Sequence, residues 1–273
     1  MALTGGRHPV RATEVWRIAL HVYIALILLF LILPVLIVFP ISFSSSAYLQ
    51  FPPPGWSLRW YSAYFNDAAW ISSTLRSIKI ASITTVLATL LGVPLAFSLV
   101  RGRYMGRGLI TQLSATPLIV PAIIYSIAIY GVFARYRLIG DWRGIMLAHT
   151  VQAVPYVLIV VTSALRTYDI TLEQAAMGLG AGRFRAVWRI TLPQLRPSII
   201  TAMFFAFISS FDELVVAMFL GGSNMTLPKK MFDNILNAID PTIAAVSVLQ
   251  IALISSLLIA VSRFGIGIKP ASR

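Results

Sequence analysis

The sequence predicts an all-α membrane protein with six transmembrane helices and both termini in the cytoplasm. Three observations support this fold class. Of the 273 residues, 58% are hydrophobic and only 11% are charged, whereas a soluble domain carries about 25% charged residues. Six apolar stretches are long enough to cross a hydrocarbon core, which needs about 20 helical residues. The number of basic residues also alternates between successive loops.

The predicted spans are nearly free of charged side chains. The first span could be mistaken for a signal peptide, because Arg11 and Arg17 precede it. Its apolar run is longer than the about 7–15 residues of a signal sequence, so we interpret it as a retained span. The transmembrane domain covers residues 18–262, between a cytoplasmic segment of residues 1–17 and a tail of residues 263–273. The spans are Ile18 to Ile41, Ser77 to Val100, Gly108 to Ala134, Gly144 to Leu165, Ser198 to Leu220 and Thr242 to Ser262.

The positions of Lys and Arg predict the orientation. The N-terminal segment, the loops after spans two and four, and the tail hold fourteen basic residues, whereas the other three loops hold seven. Segments rich in Lys and Arg stay in the cytoplasm, so both termini are expected there. The net charge of +13 could also indicate nucleic-acid binding. The basic residues are divided among short loops and form no continuous patch, so we expect no nucleic-acid partner.

The chain carries no catalytic motif that we recognise. It has no cysteine, which excludes disulfides and thiolate metal sites. It lacks a phosphate-binding loop and a His-Glu-x-x-His helix, and His8, His21 and His149 are far apart. His149 could pair with a serine as in intramembrane proteases, but no Gly-x-Ser-x-Gly turn accompanies it. A self-sufficient secondary transporter is a second alternative, although no repeat relates the first three spans to the last three.

The predicted outer loop, residues 42–76, contains an aromatic stretch from Trp60 to Trp70. Such rings favour the membrane interface, so an anchoring interfacial helix is expected in preference to a ligand cage. In span three, Pro117 and Pro121 lie four residues apart. They either kink the helix for packing or line a transport pathway.

Two acids lie within span five. An ionisable group inside the membrane is costly, and Asp212 and Glu213 are therefore functional candidates. A helix that starts near Pro197 would place Asp212 about 22 Å along its axis, with Glu213 pointing about 100° away. The acids either face a pathway or a docking surface for a binding protein, or pair with a neighbour such as Lys79 or with hydroxyl groups. The candidate pathway residues are Pro117, Pro121, Ser209, Asp212 and Glu213.

The loop over residues 166–197 is too long for a simple connection. Asp169 or Thr171 can cap a short helix, and Gly180 can end it in a left-handed conformation. A second helix is expected from Phe184 to Ile190, closed by Leu192 and Pro193. Two short helices on the cytoplasmic face suit contact with another surface, or packing against the protein's own helix ends.

This loop resembles the signature of the membrane subunits of bacterial binding-protein-dependent ABC importers. That signature is Glu-Ala-Ala, three residues, Gly, about nine residues, and a hydrophobic residue followed by x-Leu-Pro. The loop matches it from Gln174 to Gly180 and from Ile190 to Pro193, with Gln174 in place of the usual Glu and Glu173 beside it. Looser motifs, such as Ser210-Phe211-Asp212-Glu213, resemble the spermidine/putrescine branch.

The resemblance implies a type I permease fold in which this loop is a coupling helix that docks on an ATP-binding subunit. It makes Gln174, Ala175, Ala176 and Gly180 docking residues. Arg183 and Arg185 are weaker candidates. The remaining coupling-loop candidates are Glu173, Leu192 and Pro193.

The resemblance also implies the partners and the location. The expected partners are two ATP-binding subunits, a second permease subunit that we take to be non-identical, and an external solute-binding protein, in a bacterial inner membrane. ATP and Mg²⁺ would be used by the ATP-binding partner, and this chain would bind no cofactor. Polyamine-like cations are the expected solute; amino-acid derivatives, opines, phosphonates and ferric ions are alternatives, since selection rests mainly with the binding protein.

Overall fold

A computed structural model describes residues 10–237 and 240–265, with side chains from residues 16–237 and 240–263. Arg7, His8, Lys269 and Arg273, which entered the sequence predictions, lie outside the described residues. The described chain is helical apart from its connections, which confirms the all-α class. The helices are α1 (Val10–Ser42), α2 (Arg59–Asn66), α3 (Ala68–Arg101), α4 (Arg107–Ile119), α5 (Ala122–Arg135), α6 (Trp142–Thr167), α7 (Thr171–Gly178), α8 (Arg183–Ala186), α9 (Leu192–Phe211), α10 (Val215–Leu220), α11 (Leu227–Asn237) and α12 (Thr242–Gly265).

The third predicted span is a bent pair of helices. Within the described residues, five helical segments are long and apolar enough to cross a membrane. α4 and α5 pass the same test together, with a bend of 108° between them, and make six if the pair is one broken span. The Val120 N–H donates to Thr116 O and ends α4, while the Tyr125 N–H donates to Pro121 O and starts α5. Pro121 has no N–H to continue the α4 ladder, so the predicted span from Gly108 to Ala134 is broken into two helices at the paired prolines, where a kink was expected.

The fifth predicted span has different ends. Leu192 and Pro193 do not close the second loop helix, because α8 runs through a π-helical turn, Val187–Thr191, directly into α9. In this wider turn the Leu192 N–H donates to Val187 O, and Pro193, which has no N–H, follows in the first turn of α9, where a proline is tolerated. The span also stops at Phe211, before the predicted end at Leu220, and α10 is a separate helix.

The chain forms two compact units, and the first comprises the described parts of Met1–Tyr64 and Ile239–Val248. After α1, the Ser45 N–H donates to Gly55 O at 2.9 Å, and the Ser57 N–H donates to Phe43 O at 2.7 Å. These bonds fold residues 43–58 into a loop that leads into α2. The predicted aromatic stretch therefore contains a helix, and the part of residues 42–76 without helix is shorter than expected.

The second unit comprises the described parts of Phe65–Ala238 and Leu249–Arg273. Its core is formed by α3, α6 and α9, which pack against one another. Small residues at the crossings let the backbones approach, as is usual between membrane helices. The fully buried alanines of this core are Ala88, Ala96, Ala153, Ala202 and Ala206.

Candidate functional site: a cavity at two helix breaks and an exposed short helix

One cavity of about 630 Å³ lies where two spans are broken. The break between α4 and α5 forms one wall, and the break between α9 and α10 forms another. α6 completes the lining with Gln152 and Tyr156, which the sequence analysis did not single out. The five candidate pathway residues all line this cavity: Pro117, Pro121, Ser209, Asp212 and Glu213.

Asp212 follows the last residue of α9, and its side chain is exposed. Its N–H donates to Ile208 O at 3.0 Å, and the Gln250 amide donates to its carboxylate at 3.4 Å. The considered pairing of an acid with Lys79 is not observed, because the Lys79 ammonium lies 3.9 Å from the centre of the Trp142 ring. Asp212 therefore presents a carboxylate at the cavity with one amide neighbour.

Glu213 has a different environment from Asp212. Its two carboxylate oxygens accept from the Val216 N–H at 3.1 and 2.9 Å, and one of them lies 3.4 Å from the Ala217 N. Glu213 thus caps the first turn of α10, where free N–H groups favour an anion. The two acids were predicted to point about 100° apart on one helix. That prediction is wrong, because both lie in the break between α9 and α10.

His149 is the functional candidate that the sequence analysis undervalued. His149 is buried, with only 2% of the residue exposed. Nδ1 lies 2.8 Å from Ser210 Oγ, and Nε2 lies 3.3 Å from the Glu213 carboxylate. Ser210 is buried and does not line the cavity, so the trio holds α6 against the break after α9. The signal was present in span four, because His149, Gln152 and Tyr156 share one helix face.

The predicted coupling loop contains α7. The Asp169 carboxylate accepts from the Thr171 N–H at 2.9 Å and from its hydroxyl at 2.7 Å, and these bonds lower the pKa of Asp169 below its usual value. Gly180 follows α7 with a φ of +90°, and this confirms the predicted left-handed conformation. Asp169 lies two residues before Thr171, the first residue of α7, and Ile170 holds the cap position, so the predicted cap at Asp169 or Thr171 is wrong.

The predicted docking residues lie mostly on the outside of this segment. Gln174, Ala175 and Gly180 are exposed, and Ala176 is half-buried. Glu173 is the exception, because it is only 2% exposed and turns inward. Glu173 therefore does not replace, at the surface, the negative charge that the signature Glu would carry at position 174. Of the other loop candidates, Pro193, Arg183 and Arg185 are exposed and Leu192 is half-buried.

Large apolar side chains accompany these residues on the surface. Leu179 is 92% exposed, Phe184 80% and Trp188 63%, and the last two rings stack with centroids 6.0 Å apart. An exposed apolar patch is a candidate contact surface for a protein partner or for lipid. No cluster of three or more metal-ligating side chains occurs within the described residues.

Comparisons with known proteins identify the family of the chain. Residues 88–268 match the family model for the binding-protein-dependent transport system inner membrane component. The chain is 35% identical to the putrescine transport system permease protein PotI of Escherichia coli K12, over 86% of this chain and 85% of that protein. It is 28% identical to the spermidine/putrescine transport system permease protein PotC of Haemophilus influenzae, over 84% of this chain and 90% of that protein.

A solved structure shares the fold. It is the crystal structure of a bacterial ABC transporter involved in the import of the acidic polysaccharide alginate, with a TM-score of 0.71 and 19% identity, over 96% of this chain and 99% of that chain. The family match, the relatives and the apolar helices together show a multi-pass inner-membrane protein. The chain belongs to the family of binding-protein-dependent transport system inner membrane components and is a permease subunit of an ABC importer.

Proposed function

We propose that this permease forms half of the translocation pathway for small organic cations of the polyamine class. The observation that carries the proposal is the cavity, where the Asp212 carboxylate is exposed and the described lining includes neither Lys nor Arg. A carboxylate without a cationic partner attracts an ammonium group. The volume of about 630 Å³ lies within the range of about 300–1,000 Å³ usual for small-molecule sites. The names of PotI and PotC support the same solute class.

The energy would come from partner subunits. Two ATP-binding subunits, one for each permease, would dock on α7, α8 and the π-helical turn. ATP and Mg²⁺ would be bound by those subunits. The exposure of Gln174, Ala175 and the Phe184–Trp188 stack supports this placement. An external solute-binding protein would deliver the cation, and a second, non-identical permease would complete the pathway.

The helix geometry suggests how movement would reach the cavity. α8, the π-helical turn and α9 form one helical segment of 29 residues, Arg183–Phe211, which spans roughly 43 Å at 1.5 Å per residue. Its first turn lies beside the proposed docking residues, and its last turn carries Ser209 next to Asp212. A tilt of this segment, driven by closure of the ATP-binding subunits, would therefore move the cavity wall.

Purification and transport would test the proposal. The tagged chain is extracted from native membranes in mild detergent, and co-purifying proteins are identified by mass spectrometry. We expect two copies of an ATP-binding subunit and a second permease, and ATP-dependent uptake of putrescine after reconstitution with the binding protein. A chain that purifies alone even after cross-linking contradicts the ATP-driven mechanism. Equal uptake of putrescine and of an anion of similar size contradicts the proposed solute.

A further inference from the structure

Beyond the docking surface, the inward-facing Glu173 joins the coupling loop to the spans. The Arg101 guanidinium donates to Glu173 Oε2 at 2.7 Å, and the Thr191 hydroxyl donates to the same oxygen at 2.6 Å. Arg101 is the last residue of α3, and Thr191 is the last residue of the π-helical turn that begins α9. One carboxylate oxygen thus connects α7 to two of the three core helices.

The third core helix reaches the same place. Tyr168 directly follows α6, and its hydroxyl lies 3.4 Å from Thr191 Oγ1. The Arg101 guanidinium lies 5.7 Å from the centre of the Tyr168 ring and 5.1 Å from that of Phe97. We call Arg101, Tyr168, Glu173 and Thr191 the Glu173 network.

Burial makes these contacts strong. Thr191 is fully buried, and the side chains of Glu173 and Arg101 are 3% and 15% exposed. A charge pair with so little water around it resists separation, because either partner alone would leave an unpaired charge in the interior. In contrast, Ala175 and Gln174, the neighbours of Glu173 on α7, are exposed. The helix therefore has an outer face for a partner and one buried residue for attachment to the spans.

We infer that Glu173 is a positioning residue that transmits the displacement of α7 to α3 and α9 through the Glu173 network. This inference rests on the proposed docking of an ATP-binding subunit on α7. Pushing α7 would move the Glu173 carboxylate, and with it the ends of α3 and α9, as one body. Because coupling between two sites is reciprocal, a displacement of α3 and α9 would also move α7.

The test uses the complete importer reconstituted in proteoliposomes with its binding protein. Glu173→Gln and Arg101→Gln each remove one charge of the pair, while Thr191→Val keeps the pair and the side-chain shape. Arg103→Gln is the matched control, because Arg103 is exposed and lies two residues from Arg101. The readouts are putrescine taken up per ATP hydrolysed and the stimulation of ATP hydrolysis by the loaded binding protein.

We expect both charge variants to retain the ATP-binding subunits and to lose about tenfold in uptake per ATP and in stimulation, a loss typical of coupling between sites. The double variant, Glu173→Gln with Arg101→Gln, should lose no more than either single variant, because both substitutions remove the same contact. Thr191→Val should lose less, and Arg103→Gln should match the wild type. Unchanged uptake per ATP and stimulation, or loss of the ATP-binding subunits, would overturn the inference. A wild-type importer that hydrolyses ATP but imports no putrescine contradicts only the proposed solute. The change in ATP hydrolysis on adding the binding protein as purified, compared between wild type and variants, then tests the network.

Discussion

Adjacent acids at the break after α9 have separate roles. Asp212 is exposed at the cavity and has an amide neighbour 3.4 Å away, whereas Glu213 accepts hydrogen bonds from the first turn of α10. In the proposed pathway, a cation would therefore meet the Asp212 carboxylate without competing with backbone donors. Glu213, held also beside His149, keeps the wall of the cavity in place.

Removing each charge should separate these roles. We expect Asp212→Asn to reduce putrescine uptake at least about tenfold, because an ammonium loses its charge-assisted partner, while thermal stability in detergent stays unchanged. Glu213→Gln should destabilise the protein by about 1 kcal/mol through the weakened cap. Uptake at equal membrane abundance and the unfolding temperature are the measurements. Normal transport by Asp212→Asn would contradict the pathway role.

At the residue scale, the five predicted pathway residues do line one cavity, but Gln152, Tyr156 and the neighbouring His149 were not assigned to it. Intramembrane cost identified the acids, and the paired prolines identified the other wall of the cavity. The different environments of Asp212 and Glu213 depend on where α9 ends, and apolar periodicity continues through that end to Leu220. The inward orientation of Glu173 was not predictable either. Its partner, Arg101, lies 72 positions away in the sequence, so local spacing placed Glu173 only among the coupling-loop candidates.

At the element scale, α3 and α6 approach closely at Gly92. A Cβ atom at this position would lie 2.7 Å from Val157 Cγ1 and 2.8 Å from Val157 Cβ. The second of these atoms is fixed by the backbone, so a side-chain rotation cannot relieve the clash. Only glycine permits this helix crossing without a shift of one backbone.

Gly92→Ala should therefore destabilise the permease. Overpacking of a helix contact costs about 1–3 kcal/mol, and we expect a lower unfolding temperature in detergent. Gly131→Ala is the matched control, since Gly131 also lies inside a helix but has no atom within 4 Å of the added Cβ. The control should be as stable as the wild type or slightly more stable. Equal unfolding temperatures for both variants would show that the crossing adapts.

The presence of the apolar spans was predictable, because hydropathy over about 20 residues dominates membrane insertion, but some of their ends lie up to nine residues from the predicted positions. The breaks were not predictable. Pro121 bends its span by 108°, whereas Pro94 lies within the continuous helix α3 and Pro193 follows a π-helical turn. The same residue type thus gives three outcomes, and the surrounding helices that satisfy the freed carbonyl decide among them.

For the whole molecule, the unequal distribution of Lys and Arg predicts which end of the helices faces the cytoplasm. The chain has no cysteine, so single introduced thiols report topology without background. Met105 lies between α3 and α4 and is fully exposed, at the end that carries Arg101 and the Glu173 network. Ser223 is exposed in the connection between α10 and α11.

We expect the Met105→Cys thiol to react with a membrane-impermeant maleimide only after permeabilisation, because three arginines hold its loop in the cytoplasm. The Ser223→Cys thiol should react in intact spheroplasts, since its loop holds only two basic residues. Labelling is measured by mass shift, and pretreatment with a permeant maleimide confirms that each thiol is accessible. The opposite labelling pattern would place α7 on the outer face, where no ATP-binding subunit could reach it, and would contradict the proposed mechanism as well as the topology.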